Sequence, residues 1–130
     1  MQINISEQDQ TPIYQQIVNQ VKLQVSSGRL GADEELPSIR ALAERLMINP
    51  NTVARAYREL EVAGIVTKRR STGSFISGDA SAMSKRDRLQ LLVEKVDGLL
   101  VDAKQLSIDV GDIVDLIYER EERFPQGVTA

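Results

Sequence analysis

The chain has 130 residues, 42% hydrophobic and 27% charged, with a formal net charge of −3, which suits one or two small domains with a core of their own. Cysteine and histidine are both absent. Their absence excludes disulfides, iron–sulfur clusters, thiolate zinc sites and histidine general bases. No apolar run approaches the ~18 residues of a membrane span, and no secretory leader pattern or Gly-rich phosphate loop occurs, so a soluble cytoplasmic protein is expected.

Residues 1–10 are polar and expected to be an extended arm, with Ile3 and Ile5 as alternate anchors. Thr11 and Pro12 then read as an N-cap and first helical position, because proline's missing N–H costs nothing there. Ile13, Ile17, Val18, Val21 and Val25 follow at helical spacing, and Gly28 supplies a stop. A connector carrying Asp33, Glu34 and Glu35 runs to Pro37.

Two short helices come next. The first is predicted from about Ser38 to Met47, with Ile39, Leu42, Ala43 and Leu46 inward. The second starts where Asn49 can cap and Pro50 can fill the first turn, with Val53, Ala56, Tyr57 and Leu60 inward and Ala63-Gly64 ending it. Ile65-Val66-Thr67 and Ser74-Phe75-Ile76 read as paired strands joined by a short wing tip. Helix, turn, helix and basic hairpin in this order describe a winged helix-turn-helix.

Charge is unevenly distributed. Residues 36–78 carry Arg40, Arg45, Arg55, Arg58, Lys68, Arg69 and Arg70 against Glu44, Glu59 and Glu61, a net of +4 on an acidic chain. Such a local basic field holds a polyanion with little adhesion elsewhere.

Gly78 to Ser84 is small and polar, a candidate hinge. Beyond it Leu89, Leu92, Val93, Val96, Leu99, Leu100, Ala103 and Leu106 keep helical spacing for about five turns. Gly98 within this run costs ~1 kcal/mol against alanine, or else allows a close helix crossing. Val110, Ile113, Val114 and Ile117 form a second run after a break near Ser107. Two amphipathic helices make no globular core alone, so the stripe (Leu89, Leu92, Val93, Val96, Leu99, Leu100, Leu106, Ile113, Ile117) calls for a partner surface. Asp109, Asp112 and Asp115 lack the glycine and terminal glutamate of a calcium loop and read as a solvated face.

Leu36-Pro37-Ser38-Ile39-Arg40-Ala41-Leu42-Ala43, Asn49-Pro50-Asn51-Thr52-Val53-Ala54-Arg55-Ala56-Tyr57-Arg58-Glu59-Leu60-Glu61, Gly64-Ile65-Val66 and Gly73-Ser74-Phe75-Ile76 together resemble the GntR family of bacterial transcription regulators. The resemblance covers roughly residues 11–78. The Asn-Pro-Asn-Thr-Val-x-Arg-Ala-Tyr form and the short tail look most like its YtrA branch, in which two helices after the winged domain build a dimer. The resemblance implies a mostly α fold with a small β-wing, organised as an arm (1–10), a winged helix-turn-helix (11–78) and a helical dimerisation region (79–130). It also implies a homodimeric repressor on a double-stranded, inverted-repeat operator, often beside genes for membrane transporters. Family wings usually read Gly-x-Gly at the tip, where the first glycine lets backbone approach the minor groove. Here the tip is Ser71-Thr72-Gly73.

Within those motifs each residue has a role. Ser38 is placed to donate to phosphate and Arg40 to fork onto phosphate or guanine; the plainer readings are an N-cap and a solvated charge. Asn49, Pro50, Asn51 and Thr52 open the recognition helix, the end that enters the major groove, where N–H groups and the dipole favour phosphate. Asn49 is a cap first, and Asn51 and Thr52 are contacts. Arg55 shares a face with Thr52 and is the candidate base reader, with Arg58 continuing that face or pairing with Glu59 or Glu61. Tyr57 is expected in the core, with its hydroxyl reaching backbone. Strand alternation keeps Lys68, Arg69 and Arg70 from all facing DNA. Arg70 is the choice for the minor groove, with Ser71, Thr72 and Gly73 adding backbone and hydroxyl contacts.

Two other classes compete. A winged-helix protein adaptor would not need cations on the recognition helix and wing, and a small hydrolase lacks any positioned nucleophile–base pair. No cofactor or metal is expected. A small-molecule effector is an open partner, for which no residue pattern marks a site.

Overall fold

The computed structural model of the chain describes residues 1–70, 72–78 and 83–124. It comprises two compact units, Met1–Arg88 and Leu89–Ala130. The elements run α1 (Ile13–Ser26), α2 (Ile39–Leu46), α3 (Pro50–Val62), β1 (Val66–Arg69), β2 (Gly73–Ile76), α4 (Lys85–Gln90), α5 (Val93–Gln105) and α6 (Val110–Arg123).

In the first unit α3 packs against α1, α2 and β1. One cluster fills the centre: Ile17, Val18, Val21 and Val25 of α1, Leu42 and Ala43 of α2, Val53, Ala56, Tyr57 and Leu60 of α3, and Ile65, Val66 and Ile76 around the wing. The inward faces of α1 and α3 therefore match their apolar spacing, with Ile13 half-buried at the start of α1. Ile39 does not go inward. It is 37% exposed, while Leu42 and Ala43 are buried and Leu46 packs half-buried against the same cluster.

The start of α1 differs from expectation by one residue. Pro12 is the cap, with ψ at 145°, and Ile13 is the first helical residue. Thr11 is held outside the helix: its N–H donates to Asp9 Oδ1 and its carbonyl accepts from Gln16 Nε2. That N–H bond also holds the exposed Asp9 carboxyl below its ordinary pKa.

The arm is pinned by a device absent from the sequence reading. Gln16, Gln20 and Gln24 project from α1 at intervals of four. The Gln16 amide binds the N–H and carbonyl of Ser6, and the Gln20 amide binds those of Asn4. Gln24 donates to the Gln2 carbonyl. Three side chains thus serve as the ladder partner that alternate arm residues would otherwise lack. Ile3 between them points into the core at 7% exposure. Arg45 of α2 closes the end by donating to the Met1 carbonyl.

The wing is a two-stranded antiparallel sheet with Val66 opposite Ile76 and Arg69 opposite Gly73. The connector adds a partial third strand. Glu35 bridges to Phe75, Leu36 N–H donates to the Ser74 carbonyl, and Ile76 N–H donates to the Glu34 carbonyl. β1 runs two residues further than expected, to Arg69, and β2 begins one residue earlier, at Gly73.

The second unit has almost no core. α5 and α6 pack together and, among the described residues of this unit, only Ala103 and Ile113 are buried. Ser107 turns the chain with φ at +57°, and Ile108 N–H donates to the Ala103 carbonyl. The single long helix expected over residues 89–106 is interrupted: Leu91 and Leu92 form a turn, in which Leu92 N–H donates to the Leu89 carbonyl three residues back. Neither glycine nor proline is there to cause it. A Cβ on Gly98 would meet nothing within 4 Å, so Gly98 marks no close crossing within the described residues. The candidate hinge falls partly outside the described residues, at 79–82.

Candidate nucleic-acid interface

Both helices of the helix-turn-helix are capped by residues singled out as contacts. The Ser38 side-chain oxygen accepts from the Ala41 N–H at 3.1 Å, and the Asn49 oxygen accepts from the Asn51 N–H at 2.8 Å. Thr52 N–H donates to the Asn49 carbonyl at 3.0 Å. Pro50 has no N–H to offer. The amides of the first turn of α3 are therefore spent on the cap, and the expectation that they are free for phosphate is corrected. What this helix end presents is its dipole and the side chains of Asn51 and Thr52.

Between the helices Met47 adopts φ +57° and ψ +46° and is 90% exposed. Its N–H donates to the Glu44 carbonyl and that of Ile48 to Ala43, closing α2. This left-handed position suits glycine.

Tyr57 anchors the pair. Its ring is buried, and its hydroxyl donates to the Pro37 carbonyl at 2.7 Å, tying α3 to the entry of α2. Burial raises the phenol well above its ordinary pKa, with the nearby Arg45 charge acting in the opposite direction. The hydroxyl stays a donor.

With Val53, Ala56, Tyr57 and Leu60 inward, Asn51, Arg55, Arg58 and Val62 form the outward face of α3. Arg55, Arg58, Glu59 and Val62 line an open groove of ≈ 350 Å³. Arg58 makes no ion pair with Glu59 or Glu61 among the described residues; the ion pairs found there are Arg69–Asp33 and Arg123–Glu119. Arg55 is placed by a residue the sequence reading passed over. Its guanidinium carbon lies 3.8 Å from the centroid of the Tyr14 ring, on α1. Tyr14 stands outside the apolar spacing of α1, and that was the available signal.

The wing separates its three cations. Arg69 turns back: it bonds Asp33 Oδ1 at 2.6 Å and lies over the Phe75 ring at 4.2 Å. Lys68 and Arg70 are exposed and, among the described residues, carry no ion pair. Asp33 thus acts as a counter-charge for the cation on the wrong side of the strand. Gly73 has φ +115°, which a side chain rarely adopts, so its place in the motif follows from conformation. Thr72 is exposed and its N–H bonds the Arg69 carbonyl; Ser71 lies outside the described residues. Arg40 is exposed on the first turn of α2. No group of three or more described His, Cys, Asp or Glu residues could hold a metal ion, and no described helix is long and apolar enough to cross a membrane.

Of the apolar stripe residues, Leu89, Leu92, Val93, Val96, Leu99, Leu100, Leu106 and Ile117 are 39–69% exposed, whereas Ile113 is already covered within the α5–α6 pair. Val101, Val110, Val114, Leu116, Tyr118 and Phe124 extend the exposed apolar surface.

Residues 13–76 match the model of a family described as bacterial regulatory proteins, gntR family. The HTH-type transcriptional repressor YtrA of Bacillus subtilis (strain 168) is 34% identical over 117 residues, covering 90% of each chain. A solved structure described as a transcriptional antiterminator from Listeria monocytogenes EGD-e is similar with TM-score 0.66 and 31% identity, covering 100% of this chain and 98% of that one. YtrA from Sulfolobus acidocaldarius, a GntR-family transcription factor, is similar with TM-score 0.58 and 29% identity, covering 74% of this chain and 97% of that one. Fold, motif order and relatives agree: the chain belongs to the gntR family of bacterial regulatory proteins, and it is a winged helix-turn-helix transcription regulator of the YtrA-like kind.

Proposed function

We propose that the chain is a homodimeric repressor that reads an inverted-repeat operator in double-stranded DNA, working in the cytoplasm. The observation that carries the DNA-reading half is the set of exposed cations at the recognition helix and wing that pair with no acid among the described residues. Arg55 and Arg58 lie on the outward face of α3, Arg40 at the start of α2, and Lys68 and Arg70 on the wing. The one wing cation aimed elsewhere is neutralised by Asp33. Arg55 reads a guanine edge, Asn51 and Thr52 add short polar contacts, Arg40 and Arg58 hold phosphate, and Arg70 enters the minor groove.

The dimer half rests on the second unit, whose helices leave most of their apolar residues in water. An apolar surface of that extent on a two-helix unit is stable when a matching copy covers it. Two identical readers joined by a two-fold axis require two half-sites in opposite orientation. The sign of regulation follows the Bacillus subtilis relative, which is named a repressor and aligns along 90% of both chains.

The test is selection of duplexes from a randomised pool by the purified chain, followed by footprinting of the winner across a salt series. The expected result is a protected inverted repeat with half-sites roughly 10 base pairs or a little more apart, and an affinity that falls steeply with salt. Enrichment of no sequence at low salt would refute the reading.

A further inference from the structure

We propose that Tyr14 is a specificity-determining positioning residue: its ring is a fixed shelf that holds the Arg55 guanidinium for base reading. The inference rests on the DNA-reading assignment of Arg55 above and adds a residue from outside the helix-turn-helix.

An unsupported arginine at an exposed helix position samples many rotamers, and a base contact must overcome that freedom. Arg55 is exposed, yet its guanidinium carbon sits 3.8 Å from the Tyr14 ring centroid, within cation–π range. Tyr14 itself is half-buried and packs against the central cluster, so the shelf does not move with its cargo. The stack engages the face of the guanidinium. The N–H donors lie in its plane and stay available for the paired acceptors of guanine. No acid among the described residues pairs with Arg55, so none of them competes for those donors. The arrangement supplies orientation and leaves the donors unspent. Its signature is therefore a loss of selectivity at one base pair, with general DNA affinity retained.

The experiment uses the full chain and the best-bound duplex from the selection, together with single-base-pair variants of that duplex. Parent, Tyr14→Phe, Tyr14→Leu and Tyr14→Gln are compared, each with and without Arg55→Ala, and thermal melting reports folding. Tyr14→Phe keeps the ring and should match the parent. Tyr14→Leu and Tyr14→Gln should lose about two- to fivefold of discrimination at the base pair that Arg55→Ala identifies. Their affinity for unrelated duplex and its salt slope should not change, and in the Arg55→Ala background they should add nothing. Having both variants keeps the test usable if one fails to fold. Three results would overturn the inference: an equal loss on every duplex, the same loss without Arg55, or tighter operator binding once the ring is gone. The last would mean that Tyr14 withholds Arg55. A parent that selects no duplex fails earlier and removes the DNA-reading assignment along with the inference.

Discussion

The two units of this chain satisfy the same requirement in opposite ways. In the first, three helices and a hairpin bury Ile17, Val21, Leu42, Val53, Leu60 and Ile76 almost completely. Among the described residues, no buried side-chain nitrogen or oxygen lacks a hydrogen-bond partner. In the second, two helices of 13 and 14 residues bury one alanine and one isoleucine and leave leucines and valines in water. The first is a closed solution to the hydrophobic effect and the second is half of one. Charge follows the same division, with a net of +2 over Met1–Arg88 and of −5 over Leu89–Ala130. On the proposed function, the closed unit with its exposed cations would read a polyanion and the open acidic unit would pair with a copy of itself. That contrast is what the proposed function turns on.

The largest expected effect tests closure directly. Leu60→Ala should destabilise the first unit by about 2–5 kcal/mol in urea unfolding, whereas Leu99→Ala should leave that transition where it is. Equal effects would mean that the units do not fold independently. Next comes Arg55→Ala, expected to cost about 1–3 kcal/mol of operator affinity and to relax preference at a single position. A uniform loss across sequences would reassign Arg55 to phosphate. Tyr57→Phe removes the hydroxyl from the Pro37 carbonyl and should cost about 1 kcal/mol of stability, read as a lower urea midpoint with an unchanged slope. Smallest is a gain: Met47→Gly relieves a left-handed residue but gives the unfolded chain more freedom, for a net stabilisation of about 0.5 kcal/mol. A destabilised variant would show that the exposed Met47 side chain contributes more than its backbone strain costs.

Much of this was legible because local chemistry dictated it. Asn49 before Pro50 announces a capped helix, and it caps. The apolar intervals of α1 and α3 marked their buried faces, and the two short apolar runs after Gly64, with basic residues between them, marked the wing. The stripe over residues 89–117 announced surface that one copy leaves uncovered, although its interruption at Leu91–Leu92 has no local marker. Pairings between polar residues far apart in the chain were not legible. Nothing in α1 ties Gln16 to Ser6, Tyr14 to Arg55, or the connector's Asp33 to Arg69 thirty-six positions away. Hydrophobic periodicity says which residues are buried, and it is silent on which amide meets which backbone. The three-glutamine spacing beside an extended arm was the one available clue to that ladder. The cap showed the converse error: a helix N-terminus looked open to phosphate, but its amides were already engaged by Asn49.

The most direct measurement places an acid in the open unit and watches the closed one. The full chain and its Leu99→Asp, Ile117→Asp double variant would be compared by analytical sedimentation and by footprinting on the selected operator. The account predicts a dimeric parent that protects both half-sites. It predicts a monomeric variant with the urea transition of its first unit unchanged and an operator affinity lower by about 10²–10⁴-fold, as expected when linked sites become independent. A variant that remains dimeric, or a monomer that protects the full repeat at the parent's concentration, would contradict it.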